Sequence, residues 1–471
     1  MNRYKKLASD TVIMTIGSFS SKVLVFLLLP IYTYVLSTEE YGIADLFLTT
    51  VSLLIPILTL SISESTFRFS FDKNVDQAKN ITTSLILVMG SAVILIPVTL
   101  ILSVWNNSFH MYFPYFIALY LFSALNTCMS NYARGTNHVK IFVGASVVYT
   151  AFLVSLNILF LTVIKLGLEG YLIALIISYA SSSATVFLAL KCWRLIKLDK
   201  VDAHLLKEML SFSIPMIFST TAWWAMNSID KYMLIDWYGI ETSGLYGVAQ
   251  KLPTIISMFS SIFVQAWQIS AISSYGEKDS SEFYTNVYRV YEVGLYIVAG
   301  GLVFMTKPLA SIMFQKEYFQ AYIYAPVLLI AGVFSCFTSF LTSPFVAEKK
   351  SGALLKTTLI GLFFNLIANV VLMKLMGPIG ATYATMLGFG VTWYVRLLLS
   401  RKFISIEVNW FKTIVSLILL FSEALIITYN IAYGMIIAFG ILITLLFLHF
   451  KTIKLLFNSL FEIVKNHFKK Q

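Results

Sequence analysis

Charge is what this sequence has least of. Asp, Glu, Lys and Arg together make up 12% of its 471 residues, about half the share usual in soluble domains, and that scarcity excludes an ordinary soluble enzyme. Cysteine is nearly absent as well: Cys128, Cys192 and Cys336 lie far apart, form no metal or redox spacing, and read as packing residues. His110, His138, His204, His449 and His467 are scattered and form no His-x-x-x-His or Glu-x-x-His pair. No glycine-rich phosphate loop is present either, so direct use of ATP is not expected. No metal and no organic cofactor are expected.

Apolar residues are what the chain has in abundance, at 58% hydrophobic and 15% aromatic. At about 20 residues per crossing they fill about fourteen helices and leave only short loops. No extramembrane catalytic domain fits. The expected class is an all-α integral membrane protein with about 14 transmembrane helices. The expected spans are Thr11–Leu36, Tyr41–Ser63, Ile81–Val104, Met111–Met129, Ile141–Ile164, Gly170–Leu190, Phe212–Tyr238, Gly244–Ile272, Val290–Met305, Tyr322–Phe345, Leu354–Met376, Ile379–Leu399, Phe411–Ile427 and Ile431–Phe450. The basic start superficially resembles a secretory leader, but Lys22 interrupts the apolar run and no small-x-small site follows. An uncleaved first helix is expected.

The cations test this count, because short cytoplasmic loops collect Lys and Arg. With the N-terminus inside, 27 of the 34 fall in inside segments, while Lys165, Lys307, Lys316 and Lys374 fall outside and Lys22, Lys231 and Lys251 fall within spans. A wrong count would scramble that alternation, so both termini are expected to be cytoplasmic and the net charge of +11 is ascribed to topology rather than to nucleic acid. The tail from Lys451 to Gln471 reads as a basic amphipathic segment on the cytoplasmic leaflet.

An internal repeat points to two lobes. Ser37-Thr38-Glu39-Glu40-Tyr41-Gly42-Ile43-Ala44 echoes Glu241-Thr242-Ser243-Gly244-Leu245-Tyr246-Gly247-Val248-Ala249, and Gly167-Leu168-Glu169-Gly170 echoes Gly377-Pro378-Ile379-Gly380, with Asn157 and Asn369 upstream. Six spans per unit give both units the same orientation, an arrangement common in rocking transporters. The expected organisation is an N-terminal lobe over 1–200, a C-terminal lobe over 201–402, two further helices over 403–450 and the tail over 451–471.

Ionisable residues inside spans are costly and mark function by default. Lys22 lies near the middle of span 1, with no acid within a helical turn. Lys251 lies several residues into span 8, Asp230-Lys231 in span 7, and Glu64 and Arg68 one turn apart at the end of span 2, where an i,i+4 pair is the structural alternative. Lys165, Lys374 and Arg396 are expected to snorkel to the interface. Arg134 and Lys140 read as topological determinants. Three intramembrane lysines against one clear aspartate leave a cationic surplus, so an anionic cargo is expected. Trp223, Trp224, Asn227, Tyr238, Gln250, Gln265, Trp267 and Gln268 are of the kind that stack on and hydrogen-bond sugars, whereas Trp237 and Trp393 fit an interfacial belt at least as well. Pro30, Pro56, Pro97, Pro215 and Pro253 can break or kink the helices that carry them.

Several stretches resemble one family, the bacterial polysaccharide or O-antigen flippases of the MOP exporter superfamily. They are Ser21-Lys22 through Leu29-Pro30-Ile31-Tyr32-Thr33 to Glu40-Tyr41-Gly42, then Glu64-Ser65-Thr66-Phe67-Arg68-Phe69, Ile214-Pro215 with Ser228-Ile229-Asp230-Lys231-Tyr232, Gly244 to Ala249, and Asn365, Asn369, Gly377, Gly380, Ala381 and Ala384-Thr385. Lys231 departs from the Arg more often expected there, and Lys cannot make a bidentate fork to phosphate.

The resemblance implies two six-helix lobes around a central cavity plus two C-terminal helices. It also implies transport of undecaprenyl-pyrophosphate-linked oligosaccharide from the inner to the outer leaflet of the bacterial cytoplasmic membrane. Lys22, Lys231 and Lys251 would then meet the pyrophosphate, Arg68 would stand at the cytoplasmic entry, and Trp224 and Asn227 would meet the sugars. Glu64 or Asp230 would bind a returning proton or sodium ion. The implied partners are the lipid-linked glycan, the bilayer and other polysaccharide-assembly membrane proteins; no nucleic acid is expected. The alternatives are a lipid II flippase, a multidrug exporter of the same superfamily, and a membrane polysaccharide polymerase. Lys22→Ala, at wild-type protein level, is expected to abolish surface glycan in producing cells; normal glycan would remove Lys22 from the ligand set.

Overall fold

The computed structural model describes residues 23–72, 75–105, 111–196, 202–274, 279–348 and 350–454. Every regular element among them is helical. The chain divides into two compact units, Met1–Ser228 and Ile229–Gln471. The first holds α1 (Leu29–Val35), α2 (Thr38–Leu58), α3 (Ile62–Ser70), α4 (Gln77–Trp105), α5 (Phe113–Gly135), α6 (Val139–Asn157) with a π-helical turn over Ile158–Val163, α7 (Gly167–Ala189) and most of α8 (Ala203–Tyr238), which runs on through the division. The second holds α9 (Ile240–Ala249), α10 (Lys251–Ser274), α11 (Ser280–Phe304), α12 (Thr306–Met313), α13 (Ala325–Phe340), α14 (Thr342–Ala347), α15 (Ser351–Met376), α16 (Gly380–Ser400), α17 (Trp410–Thr428) and α18 (Gly434–Leu448).

Nine helical stretches among the described residues are long and apolar enough to cross a membrane, one of which, Gly352–Ser400, covers two expected spans, and Val23–Val35 and Gly434–Leu448 are shorter apolar helices. The two remaining expected spans coincide with α8 and with the broken pair α9 and α10. The first part of span 1, residues 11–22 with Lys22, and most of the basic tail lie outside the described residues.

Local chemistry sets the helix ends. Ser37 opens α2 with a capping box, its Oγ accepting from the Glu40 amide at 3.1 Å while the Ser37 amide donates to Glu40 Oε2 at 2.8 Å. Glu40 Oε1 also accepts from the Leu168 amide at 3.4 Å, tying the start of α2 to the start of α7. Asp202 caps α8 in the same manner, accepting from the His204 amide at 2.9 Å and the Leu205 amide at 3.3 Å. Its other oxygen takes Lys79 Nζ at 2.8 Å. The Lys79 ammonium, with those two amides, holds the Asp202 carboxyl below its usual range.

Three expected spans are interrupted. After Pro56 the chain breaks between α2 and α3 at Leu60 and Ser61, both left-handed at φ 54° and 53°. At Gln250, between α9 and α10, and at Leu341, between α13 and α14, the interruption is slight: both residues keep right-handed helical dihedrals and donate to the carbonyl four residues back.

The glycine echo has the same geometry in both units. Gly167 and Gly377 are left-handed, at φ +57° and +73°, where a side chain is strained. Three residues on, Gly170 and Gly380 sit where a Cβ would lie 2.9 Å from Phe160 Cβ and 2.3 Å from the Leu372 carbonyl. In the second unit Gly361 lets α15 and α16 close, since a Cβ there would fall 1.7 Å from Thr392 Oγ1 and 2.8 Å from the Gly388 oxygen. Gly361→Ala is therefore expected to cost about 1–3 kcal/mol by overpacking and to lower the melting temperature in detergent. Gly90→Ala, with nothing within 4 Å, is the neutral control; equal melting temperatures for the two variants would refute this packing account.

Candidate functional site: buried polar clusters in each unit

Helix α8 carries Asp230 and Lys231, which are 1% and 7% exposed. Asp230 is the centre of a cluster in the second unit. Its Oδ2 accepts from the Tyr246 hydroxyl of α9 and from Thr385 Oγ1 of α16 at 2.9 Å. Its Oδ1 accepts from the Lys231 amide at 3.0 Å. The Tyr246 and Thr385 hydroxyls stand 3.3 Å apart, and the Tyr246 ring meets Tyr324 edge-on at 6.0 Å. Ser243 Oγ donates to the Lys231 carbonyl at 3.4 Å. Three helices thus converge on one carboxyl, and charge-assisted hydrogen bonds of this kind are the strong ones. Lys251, half-buried, opens α10 immediately after Gln250.

The other candidates lie in the first unit. Trp224 Nε1 donates to the Thr49 carbonyl at 2.9 Å and to Ser52 Oγ at 3.1 Å, so its indole N–H anchors α8 on α2. Asn227 Nδ2 turns back to the Trp223 carbonyl at 2.7 Å. Glu64 is half-buried and Arg68 exposed on α3. No salt bridge joins them among the described residues, so the i,i+4 pair given as the structural alternative does not form. Arg134 of α5 is the cation that packs onto this helix. Its guanidinium lies over the Phe67 and Phe142 rings at 5.2 and 5.4 Å and donates to Asn131 Oδ1. Asn131 Nδ2 in turn donates to the Ser63 carbonyl at 3.0 Å.

Three expectations are corrected. Arg396 does not snorkel. It is 4% exposed, donating from Nε to Thr357 Oγ1, from one terminal nitrogen to the Thr338 carbonyl and Thr342 Oγ1, and from the other to Thr358 Oγ1, all at 3.0–3.1 Å. It sits too far inside the α13, α14, α15 and α16 packing to reach an interface. Trp393 is 5% exposed, donates to the Tyr288 hydroxyl at 2.9 Å and packs against Phe334, Phe337 and Trp410, so it is core and not an interfacial belt. Trp267 likewise stacks on Phe340 at 4.6 Å and 7°, 3% exposed, inside an aromatic core.

The third correction concerns the cationic surplus. Among the described residues the buried charged side chains are four acids, Asp45, Asp230, Glu292 and Glu423, and two cations, Lys231 and Arg396. Glu292 accepts from Tyr296 at 2.9 Å and from Thr413 at 2.6 Å. Glu423, fully buried against Gly300, has no hydrogen-bond partner on either oxygen. Asp45, Glu292 and Glu423 each stand inside an expected span, so the signal was an acid in an apolar run. The net sign of the buried charge therefore does not select an anionic cargo.

These helices and buried polar clusters define a multi-pass membrane protein. Its fold is that of solved transporters of the MOP superfamily. An inward-facing multidrug resistance MATE family transporter of that superfamily matches with a TM-score of 0.67 at 16% identity, over 81% of this chain and 94% of that one. The lipid II flippase MurJ, in an inward closed conformation, matches with a TM-score of 0.66 at 14% identity, over 96% and 100%. The sequence is more specific than the fold. The model of the family described as polysaccharide biosynthesis protein matches residues 7–268, more than half of the chain, and the chain belongs to that family. The capsular polysaccharide biosynthesis protein CapF of Staphylococcus aureus is 23% identical over 222 residues. The chain spans 56% of the length of that curated relative.

Arg396 yields a direct test. Its hydroxyl partners already donate to carbonyls three or four residues back, Thr357 and Thr358 to Leu354 at 2.8 and 3.0 Å and Thr342 to Thr338 at 3.3 Å. An apolar replacement strands no donor, whereas Lys keeps a buried charge without the fork. Arg396→Met is expected to lower the melting temperature less than Arg396→Lys; the reverse order would refute this reading.

Proposed function

We propose that the chain is a flippase that moves undecaprenyl-pyrophosphate-linked oligosaccharide repeat units from the inner to the outer leaflet of the bacterial cytoplasmic membrane, with both termini cytoplasmic. The observation that carries this reading is the family match over residues 7–268. It falls on a chain with the fold shared by a lipid II flippase and a MATE transporter. Transport rather than catalysis is the chemistry the helical bundle supports. In this reading Lys22, Lys231 and Lys251 meet the pyrophosphate, Arg68 meets it at the cytoplasmic entry, and Trp224 and Asn227 present polar and aromatic surface to the sugars.

Alternating access needs a few positions that absorb backbone change. The left-handed break at Leu60 and Ser61 supplies such a position. Outward transfer of an anion down an inside-negative potential releases about 2.3 kcal/mol per charge per 100 mV. Asp230, with lone pairs of Tyr246 and Thr385 beside it, is the coupling residue of this scheme and takes a proton or a sodium ion; Glu64 is the second candidate. Other polysaccharide-assembly membrane proteins supply and consume the lipid-linked glycan.

A cation-exporting multidrug transporter is the second reading, favoured by the excess of buried acids. Reconstitution separates the two. Leaflet exchange of a fluorescent lipid-linked oligosaccharide, without accumulation of cationic dyes, is expected. Dye transport without lipid exchange would overturn the flippase assignment. Asp230→Asn is expected to abolish the response of flux to imposed proton or sodium gradients; an unchanged response would remove Asp230 from coupling.

A further inference from the structure

The first unit holds a cavity of about 560 Å³, within the range of small-ligand sites. Leu85 and Met89 of α4, Leu125 of α5, Ala184 and Phe187 of α7, and Ile196 beyond α7 line it. The lining is almost wholly apolar. Its α4 side is also an outer surface, with Ile86 40% and Met89 50% exposed and Val93 and Ile94 beyond them at 65% and 57%. A slot open along an apolar helix face admits a hydrocarbon chain more readily than a water-borne ligand.

The end of the cavity is built differently. Between the lining residues Phe187 and Ile196 the chain makes a sharp turn. Lys191 is left-handed at φ 52°, a conformation that residues with a side chain rarely adopt. A short 3-10 turn, Cys192–Arg194, follows, with the Arg194 amide bonded to the Lys191 carbonyl at 2.9 Å and the Ile196 amide to the Cys192 carbonyl at 3.0 Å. Cys192 is fully buried in the core of the unit, while Lys191, Trp193 and Arg194 are left exposed around it. The Trp193 ring meets the lining residue Phe187 at 6.1 Å. Lys79, one turn before the lining residue Thr82, is taken up by Asp202 at 2.8 Å. Among the described residues, Lys191 and Arg194 are the exposed cations of this turn. An apolar slot, an amphipathic indole at its end and two cations beside it match the three zones of a lipid: chain, interface and anionic head.

We propose that this cavity is a binding site for an anionic phospholipid of the surrounding bilayer, one acyl chain lying between α4, α5 and α7 and the phosphate held by Lys191 and Arg194. The occupant of this proposal is a bilayer phospholipid and not the transported lipid-linked glycan.

The full-length protein in nanodiscs of equal parts phosphatidylglycerol and phosphatidylcholine, released for native mass spectrometry, tests this. Retention of one phosphatidylglycerol in preference to phosphatidylcholine is expected. Lys191→Gln with Arg194→Gln is expected to weaken that preference by about fivefold for each cation removed. Ala184→Leu, which narrows the slot and leaves the cations in place, is expected to reduce retention of both lipids. Equal retention of the two lipids by the wild type, or unchanged preference in the double variant, overturns the proposal and leaves annular lipid only. If the double variant fails to fold, competition settles the point: added phosphatidylglycerol must displace a spin-labelled phosphatidylglycerol from the wild type, and phosphatidylcholine must not.

Discussion

A polar group buried among apolar side chains must find a hydrogen-bond partner or be costly, and most of the tertiary structure of this chain follows from that. The helices satisfy their own backbone, so what remains is the side chains. In the second unit they are joined in small closed groups: Asp230 with Tyr246 and Thr385, Glu292 with Tyr296 and Thr413, and Arg396 with three threonines and a carbonyl. Each group draws together helices distant in sequence. The Arg396 group also meets the Thr338 carbonyl, which accepts from Thr342 Oγ1 as well, close to the junction of α13 and α14.

The same constraint operates in the first unit with milder partners. Thr66 Oγ1 donates to Ser84 Oγ at 2.7 Å, Asn80 Nδ2 to Ser70 Oγ at 3.0 Å and Ser65 Oγ to the Met209 carbonyl at 2.5 Å, so α3 is pinned to α4 and α8 by neutral groups. Short helix α3 could not hold its place by apolar area alone, and its only cation is exposed. Among the described residues, Glu423 carries the ionisable group left out of such networks: both of its oxygens lack a partner, as do neutral buried groups such as Trp267 Nε1, Asn365 Nδ2 and the Tyr383 hydroxyl.

Small residues do the complementary work. Between helices in an apolar medium there is little hydrophobic driving force, and close backbone approach supplies the packing instead. Gly361, Gly380 and Gly388 of the second unit and Gly135 and Gly170 of the first each stand where a Cβ would collide with a neighbouring helix or the preceding turn. The repeated Gly-x-x-Gly pair joins both devices: a left-handed turn, then a tight contact.

By itself the sequence determined the class, the helix count and the repeat. Apolar periodicity and length decide where a chain can cross a bilayer, and those are local properties. Asp230 and Lys231 are legible in the sequence as charges in an apolar run, whereas Asp45, Glu292 and Glu423 stand in such runs with no local mark of burial and Arg396, near a span end, points locally to an interface. Which of them are held in closed groups was decided only by tertiary structure. Helix rotation and contact between distant segments set the partners: Arg396 lies in a ring of threonines rather than at an interface, Glu64 stands apart from Arg68, and Trp224 spends its donor on α2. Spacing along a chain fixes which residues share a helix; it does not fix which way that helix faces.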